Sequence, residues 1–92
     1  MTTMTTRTET AIETTYTGPV SRLDSRIVTY SARLDLSSLA VEIRDAEGTL
    51  VGSGRWDDGM TAIFAPRGVV ACPSGAYDAI DAALLAATHE AS

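Results

Sequence analysis

The sequence predicts an α+β fold: a small antiparallel sheet of about five strands, with one C-terminal helix packed on one face. Three observations predict it. Between residues 10 and 72, β-branched and apolar residues recur with period two and are cut by Gly, Pro and Asp turns. After Pro73 the spacing changes to three and four. The length, 92 residues, allows one core and no second domain.

Residues 1–9 are Thr-rich, with no large apolar side chain besides Met1 and Met4. So little apolar surface does not offset the entropy of ordering, so a disordered tail is expected there, with the domain at residues 10–92. From Thr10, Ile12, Thr14 and Tyr16 share one face while Glu13, Thr15 and Thr17 share the other. This alternation is that of a strand, and Gly18-Pro19 ends it. A second strand is expected over residues 26–34, with Val28, Tyr30, Ala32 and Leu34 on one face.

Residues 36–46 read two ways. Leu36, Leu39, Ala40 and Ile43 have helical spacing, whereas Leu39, Val41 and Ile43 alternate. The following Asp45-Ala46-Glu47-Gly48 is a hairpin connection, with Gly at the left-handed position, and it favours strands. Residues 49–56 are strand-like, and Asp57-Asp58-Gly59 turns the chain into residues 60–65. Residues 39–65 therefore form an expected three-stranded meander; a one-turn helix at residues 36–39 is compatible with it. Pro66-Arg67-Gly68 breaks the chain, and residues 69–72 have the composition of one more short strand.

Pro73 introduces the helix, with Ser74 as its expected N-cap. Tyr77, Ile80, Leu84 and Ala87, with Ala76 and Ala83 alongside, form an apolar stripe suited to a sheet face. Asp78 and Asp81 lie in the first half, where the helix dipole favours negative charge.

Composition narrows the classes of function. Seven basic residues, all Arg, face twelve acidic ones, for a net charge of −5. The absence of Lys, Asn and Gln fits a high-GC genome. An acidic chain is repelled by phosphate backbones, and Asp24, Asp35, Glu42 and Asp45 interleave with Arg22, Arg26, Arg33 and Arg44. Surface pairing is expected there, and nucleic acid is not an expected partner. A single cysteine excludes an intramolecular disulfide and fits a reducing cytoplasm. No apolar run approaches the roughly 20 residues of a membrane span, and residues 1–11 have no apolar region of a secretory signal.

Cys72 stands just before a helix N-terminus, which favours thiolates; with His89 it would make a nucleophile and a base. Against this, a small apolar residue before Pro describes Cys72 equally well, and His89 lies near the chain end. One Cys and one His fall short of a zinc set, so no metal or other cofactor is expected. Asp57 and Asp58 would meet Asp78 and Asp81 if the hairpin tip reached the helix start, although turn formation already accounts for the first pair. Gly52-Ser53-Gly54 lacks the third glycine of a dinucleotide fingerprint, with Asp57 in its place; the two glycines face the same way as Trp56 and leave room for a bulky neighbour or a bulge.

Trp56, between Arg55 and Asp57, has two readings: a core anchor, or a contact residue of a type enriched in binding hot spots. Leu85 lies off the helix stripe and marks a second contact point. Arg55, Trp56, Asp57, Asp58 and Leu85 are thus the expected partner-binding residues, and no catalytic residue is expected.

Residues 14–27, TTYTGPVSRLDSRI, contain Thr14, Tyr16, Gly18 and Pro19, then Ser25, Arg26 and Ile27 after a short turn. This pattern, T-x-Y-x-G-P followed by S-R-I, resembles a segment of small uncharacterised phage and plasmid proteins. In this chain Val20, Ser21, Leu23 and Asp24 stand in the turn, where that segment usually has Thr, Asn and Gly. The resemblance implies a mobile-element origin and a strand, Gly-Pro turn, strand start. It implies no known activity.

The expected function is a non-enzymatic protein-binding module, such as a phage or mobile-element factor that inhibits or redirects a host protein, for example a component of a defence system. Small size, acidic charge and the Trp56 hairpin motivate it. A self-assembling structural subunit, in its simplest form a homodimer, is the alternative, and a thiol enzyme using Cys72 is a third. Burial of Trp56 in the sheet would remove the main anchor of the first reading.

Overall fold

The computed structural model describes residues 2–20, 23–69 and 72–90. Among them, six strands and one helix follow one another: β1 (Thr2–Arg7), β2 (Ala11–Pro19), β3 (Ile27–Asp35), β4 (Ala40–Asp45), β5 (Leu50–Trp56), β6 (Met60–Phe64) and α1 (Ser74–Glu90). The strands form one antiparallel meander in sequence order, with α1 packed on one face. This is the α+β architecture that the spacing predicts.

The alternation of side chains builds the two faces. Ile12, Leu34 and Val41 stand in one row across β2, β3 and β4, and Thr14, Ala32 and Ile43 in the next. All six are buried on the inner face. Each fully buried Leu or Ile contributes roughly 1.5–3 kcal/mol. Ala76, Ile80, Leu84 and Ala87 close this core from the helix side, as their spacing predicts. The first helical turn closes on Pro73, whose carbonyl accepts from the Tyr77 N–H at 3.0 Å. Pro73 therefore occupies the cap position expected for Ser74, and Ser74 is the first helical residue.

The helix is bonded to both sheet edges. Asp81 accepts from the Met60 N–H of β6 at 2.9 Å, and the Tyr77 hydroxyl donates to the Met60 carbonyl at 3.2 Å. At the other end Arg7 of β1 donates from Nη1 to the Ala87 carbonyl at 2.8 Å. A flat sheet would put β1 and β6 about 24 Å apart, at about 4.8 Å per strand. Asp81 and Ala87 are only about 9 Å apart along a helix. The sheet therefore curls around α1, and the long Arg7 side chain spans part of the gap.

The turns follow the expected chemistry. Gly48 has φ 87° and ends the β4–β5 connection, where Asp45 accepts from the N–H groups of Glu47 and Thr49, each at 2.9 Å. Between β3 and β4 the chain makes a single turn. Leu39 N–H donates to the Asp35 carbonyl at 2.8 Å, and the Asp35 carboxylate accepts from Ser37 and Ser38.

A further expectation is corrected. Residues 2–7 are not a tail: they form β1 in an unbroken antiparallel register with β2, from Thr2 opposite Thr17 to Arg7 opposite Ile12. This makes the sixth strand. Composition misses it because all six residues are exposed and the pairing is carried by backbone, by Arg7 and by the Thr5–Thr14 hydroxyl bond at 2.9 Å. The short strand expected at residues 69–72 is not seen at Val69 or Cys72, and residues 70–71 lie outside the described residues.

Candidate functional site

The five expected contact residues do not form one patch. Trp56 is 7% exposed and belongs to the core cluster, on the inner face opposite Met60. Its neighbour Arg55 points the other way and is exposed on the outer face. Asp57 and Asp58 are exposed in the turn, where Asp58 has φ 53° and Asp57 N–H donates to the Gly59 carbonyl at 2.8 Å. Leu85 is half-buried and packs against the core. Trp56 is thus a core side chain, Leu85 is partly covered, and Arg55 lies on an open surface.

The glycines beside Trp56 make room rather than a nucleotide cradle. A Cβ on Gly52 would lie 3.2 Å from Ile63 Cγ2, so Ile63 of β6 occupies the space a side chain would fill. The β5–β6 register also shifts between Ser53 and Arg55, where the single Gly54 of β5 stands opposite two residues of β6, Ala62 and Ile63.

The hairpin tip does meet the helix, but through one carboxylate. Asp81 is committed to the Met60 N–H, and Gly59 lies against it. Among the described residues, no three His, Cys, Asp or Glu side chains come together to hold a metal ion. Cys72 is half-buried beside Tyr30 and Tyr77, and burial pushes its thiol up, away from the thiolate. His89 lies at the far end of the 17-residue α1, about 25 Å from the end that Cys72 precedes. The two are not placed to act as nucleophile and base.

The outer face of the sheet is the surface left uncovered by α1. Its centre is a ladder of charges across three strands, because Glu13, Arg33 and Glu42 are directly opposed. Arg33 pairs with Glu13 at 2.6 Å, and Arg44 with Glu42 at 2.9 Å. These residues line a shallow, open depression with Thr15 and Ser31. Apolar side chains stand toward the margins of the outer face: Met4 on β1, 73% exposed, and Phe64 on β6, 71% exposed, with Ile27 at the end of β3. Sequence reading passed over Phe64; its place opposite Ser53 depends on the β5–β6 bulge, which alternation alone does not reveal.

Tyr16 and Arg26 have structural work here. Tyr16 is buried and donates its hydroxyl to the Pro19 carbonyl at 3.1 Å. Arg26 closes the turn on Asp24, with Nη2 2.6 Å from the carboxylate. The Arg26 guanidinium holds the Asp24 carboxyl below the usual carboxylate range.

No α-helix among the described residues is long and apolar enough to cross a membrane. Comparison of the chain with protein-family models, with curated proteins and with solved structures returns no match.

Proposed function

We propose that this chain is a non-enzymatic protein-binding module that meets its partner with the outer face of its sheet. One observation carries this reading: α1 covers only the inner face, leaving a six-stranded surface that displays Phe64, Met4 and Arg55. Aromatic residues, Met and Arg are the types enriched in protein interfaces. With Trp56 buried, Phe64 takes its place as the aromatic anchor, and Arg55 is retained from the expected contact set. The partner in this proposal is a host protein in the cytoplasm, such as a defence component, bound by a factor of phage or mobile-element origin. The resemblance of residues 14–27 supports that origin, and the single free thiol supports that compartment.

The test is capture from host lysate by the native chain beside Phe64→Ala and Arg55→Glu, each checked for its fold by circular dichroism. The reading expects one protein held by the native chain, lost with either variant, and bound again as a purified component in calorimetry. A partner that binds both variants as well as the native chain would overturn the choice of face. A second reading, the self-assembling subunit, is favoured by a specific feature, the open edge of β1.

A further inference from the structure

We infer that β1 pairs antiparallel with β1 of a second copy of this chain, joining two six-stranded sheets into one of twelve. The inference rests on the self-assembly reading and gives it a surface and a register.

The two sheet edges are built differently. β6 is five residues long, adjoins a bulge, and runs into Ala65-Pro66. Such features discourage further pairing. β1 has six residues, no Pro, no Lys and no register shift, and its outer edge carries no neighbouring strand among the described residues. Its one charged residue, Arg7, is at the end and is tied to Ala87. An edge of this kind leaves a row of backbone donors and acceptors free to pair with another strand.

The side chains name the occupant. Residues 2–6 read Thr-Thr-Met-Thr-Thr, a palindrome about Met4. A two-fold axis produces antiparallel pairing of a strand with itself, and a palindrome places identical types together. Met4 then faces Met4, each Thr2 faces a Thr6, and each Thr3 faces a Thr5. Directly opposed residues share a sheet face, so this register keeps Thr2, Met4 and Thr6 outward and Thr3 and Thr5 inward in both copies. Thr–Thr cross-strand pairs are favourable, and no charge is buried. On the inner side, Thr3, Thr5 and Arg7 border a depression with Ala83, Ala86 and Ala87 of α1. The helix flank beside this edge is thus small and uncharged, which lets a second copy approach.

Light scattering on the eluting protein, over a range of loading concentrations, tests this. The native chain is expected to run at twice the monomer mass. Met4→Lys sets two ammonium groups against each other on the axis, and Thr2→Lys with Thr6→Lys sets like charges across each pair. Both are exposed positions, and each of these variants is expected to weaken the dimer at least tenfold. Thr2→Glu with Thr6→Lys restores opposite charges in this register only, and is expected to dimerise with a dependence on salt. A native chain that is monomeric at every concentration overturns the pairing and the self-assembly reading together. A dimer indifferent to the lysine variants overturns the β1 pairing alone, and failure of the Glu/Lys variant to dimerise overturns the register.

Discussion

At the scale of residues, Leu39 holds an uncomfortable backbone conformation. Its φ of 58° lies in the left-handed region, which costs a residue with a Cβ roughly 1–2 kcal/mol. It is held there because the turn closes through its N–H to Asp35 and its carbonyl accepts from Trp56 N–H at 2.8 Å. Leu39→Gly removes the strain and is expected to be neutral or to stabilise by up to about 1 kcal/mol in urea unfolding. Leu39→Val, which stiffens the same backbone, is expected to destabilise. Asp35 serves the same turn. Its bonds from Ser37 hold its carboxyl below the usual range. A lowered folded value means its contribution is present above the unfolded value, near 4, and is lost as pH falls through the folded one. Carbon NMR titration is expected to show that low midpoint, and Ser37→Ala to raise it. Asp81 differs in kind, since its partner is the backbone of another element. Asp81→Ala leaves the Met60 N–H without its acceptor and is expected to cost about 1–3 kcal/mol in chemical unfolding, while Asp81→Asn, which keeps an acceptor, costs less.

At the scale of elements, α1 and the middle strands were legible because their side chains repeat. Ile80 and Leu84 are fully buried, as the three-and-four spacing requires, and β2 to β4 bury most of the residues their alternation marks, with Val28 and Tyr30 half-buried and Leu39 exposed at the turn. Leu84→Ala is expected to cost about 2–5 kcal/mol, from lost burial and a cavity between helix and sheet. Thermal unfolding would register a loss that size plainly. What the sequence did not show is whether Trp56 is core or contact, since alternation fixes which residues share a face and not which face is covered. The answer lies in long-range placement, with α1 crossing to β6 and Ile63 filling the space over Gly52. That filling has its own test. Gly52→Ala is expected to destabilise, because Ile63 must move by a few tenths of an ångström, and to cost less when Ile63 is already Ala.

At the scale of the whole molecule, the question is how much a strand with no buried side chain contributes. β1 was illegible as a strand because none of its residues is buried: its threonines favour extended backbone, but there is no apolar face for alternation to mark. It is nonetheless joined to the core at two points. Thr14 is a buried polar residue of the sheet, and its hydroxyl is bonded to Thr5; Arg7 takes up a carbonyl in the last turns of α1. Removing residues 2–8 would strip both partners and turn β2, which bears much of the helix contact, into an edge. A neutral hydroxyl bond is worth about 1 kcal/mol, and a bond from a charged donor about 1.5–3. The truncated chain is therefore expected to keep its α+β circular dichroism and lose on the order of 2 kcal/mol or more, which in a domain of this size lowers the midpoint by roughly 10 °C. An unchanged midpoint would mean that β1 adds nothing to the fold, and that its ordering depends on a partner at its open edge.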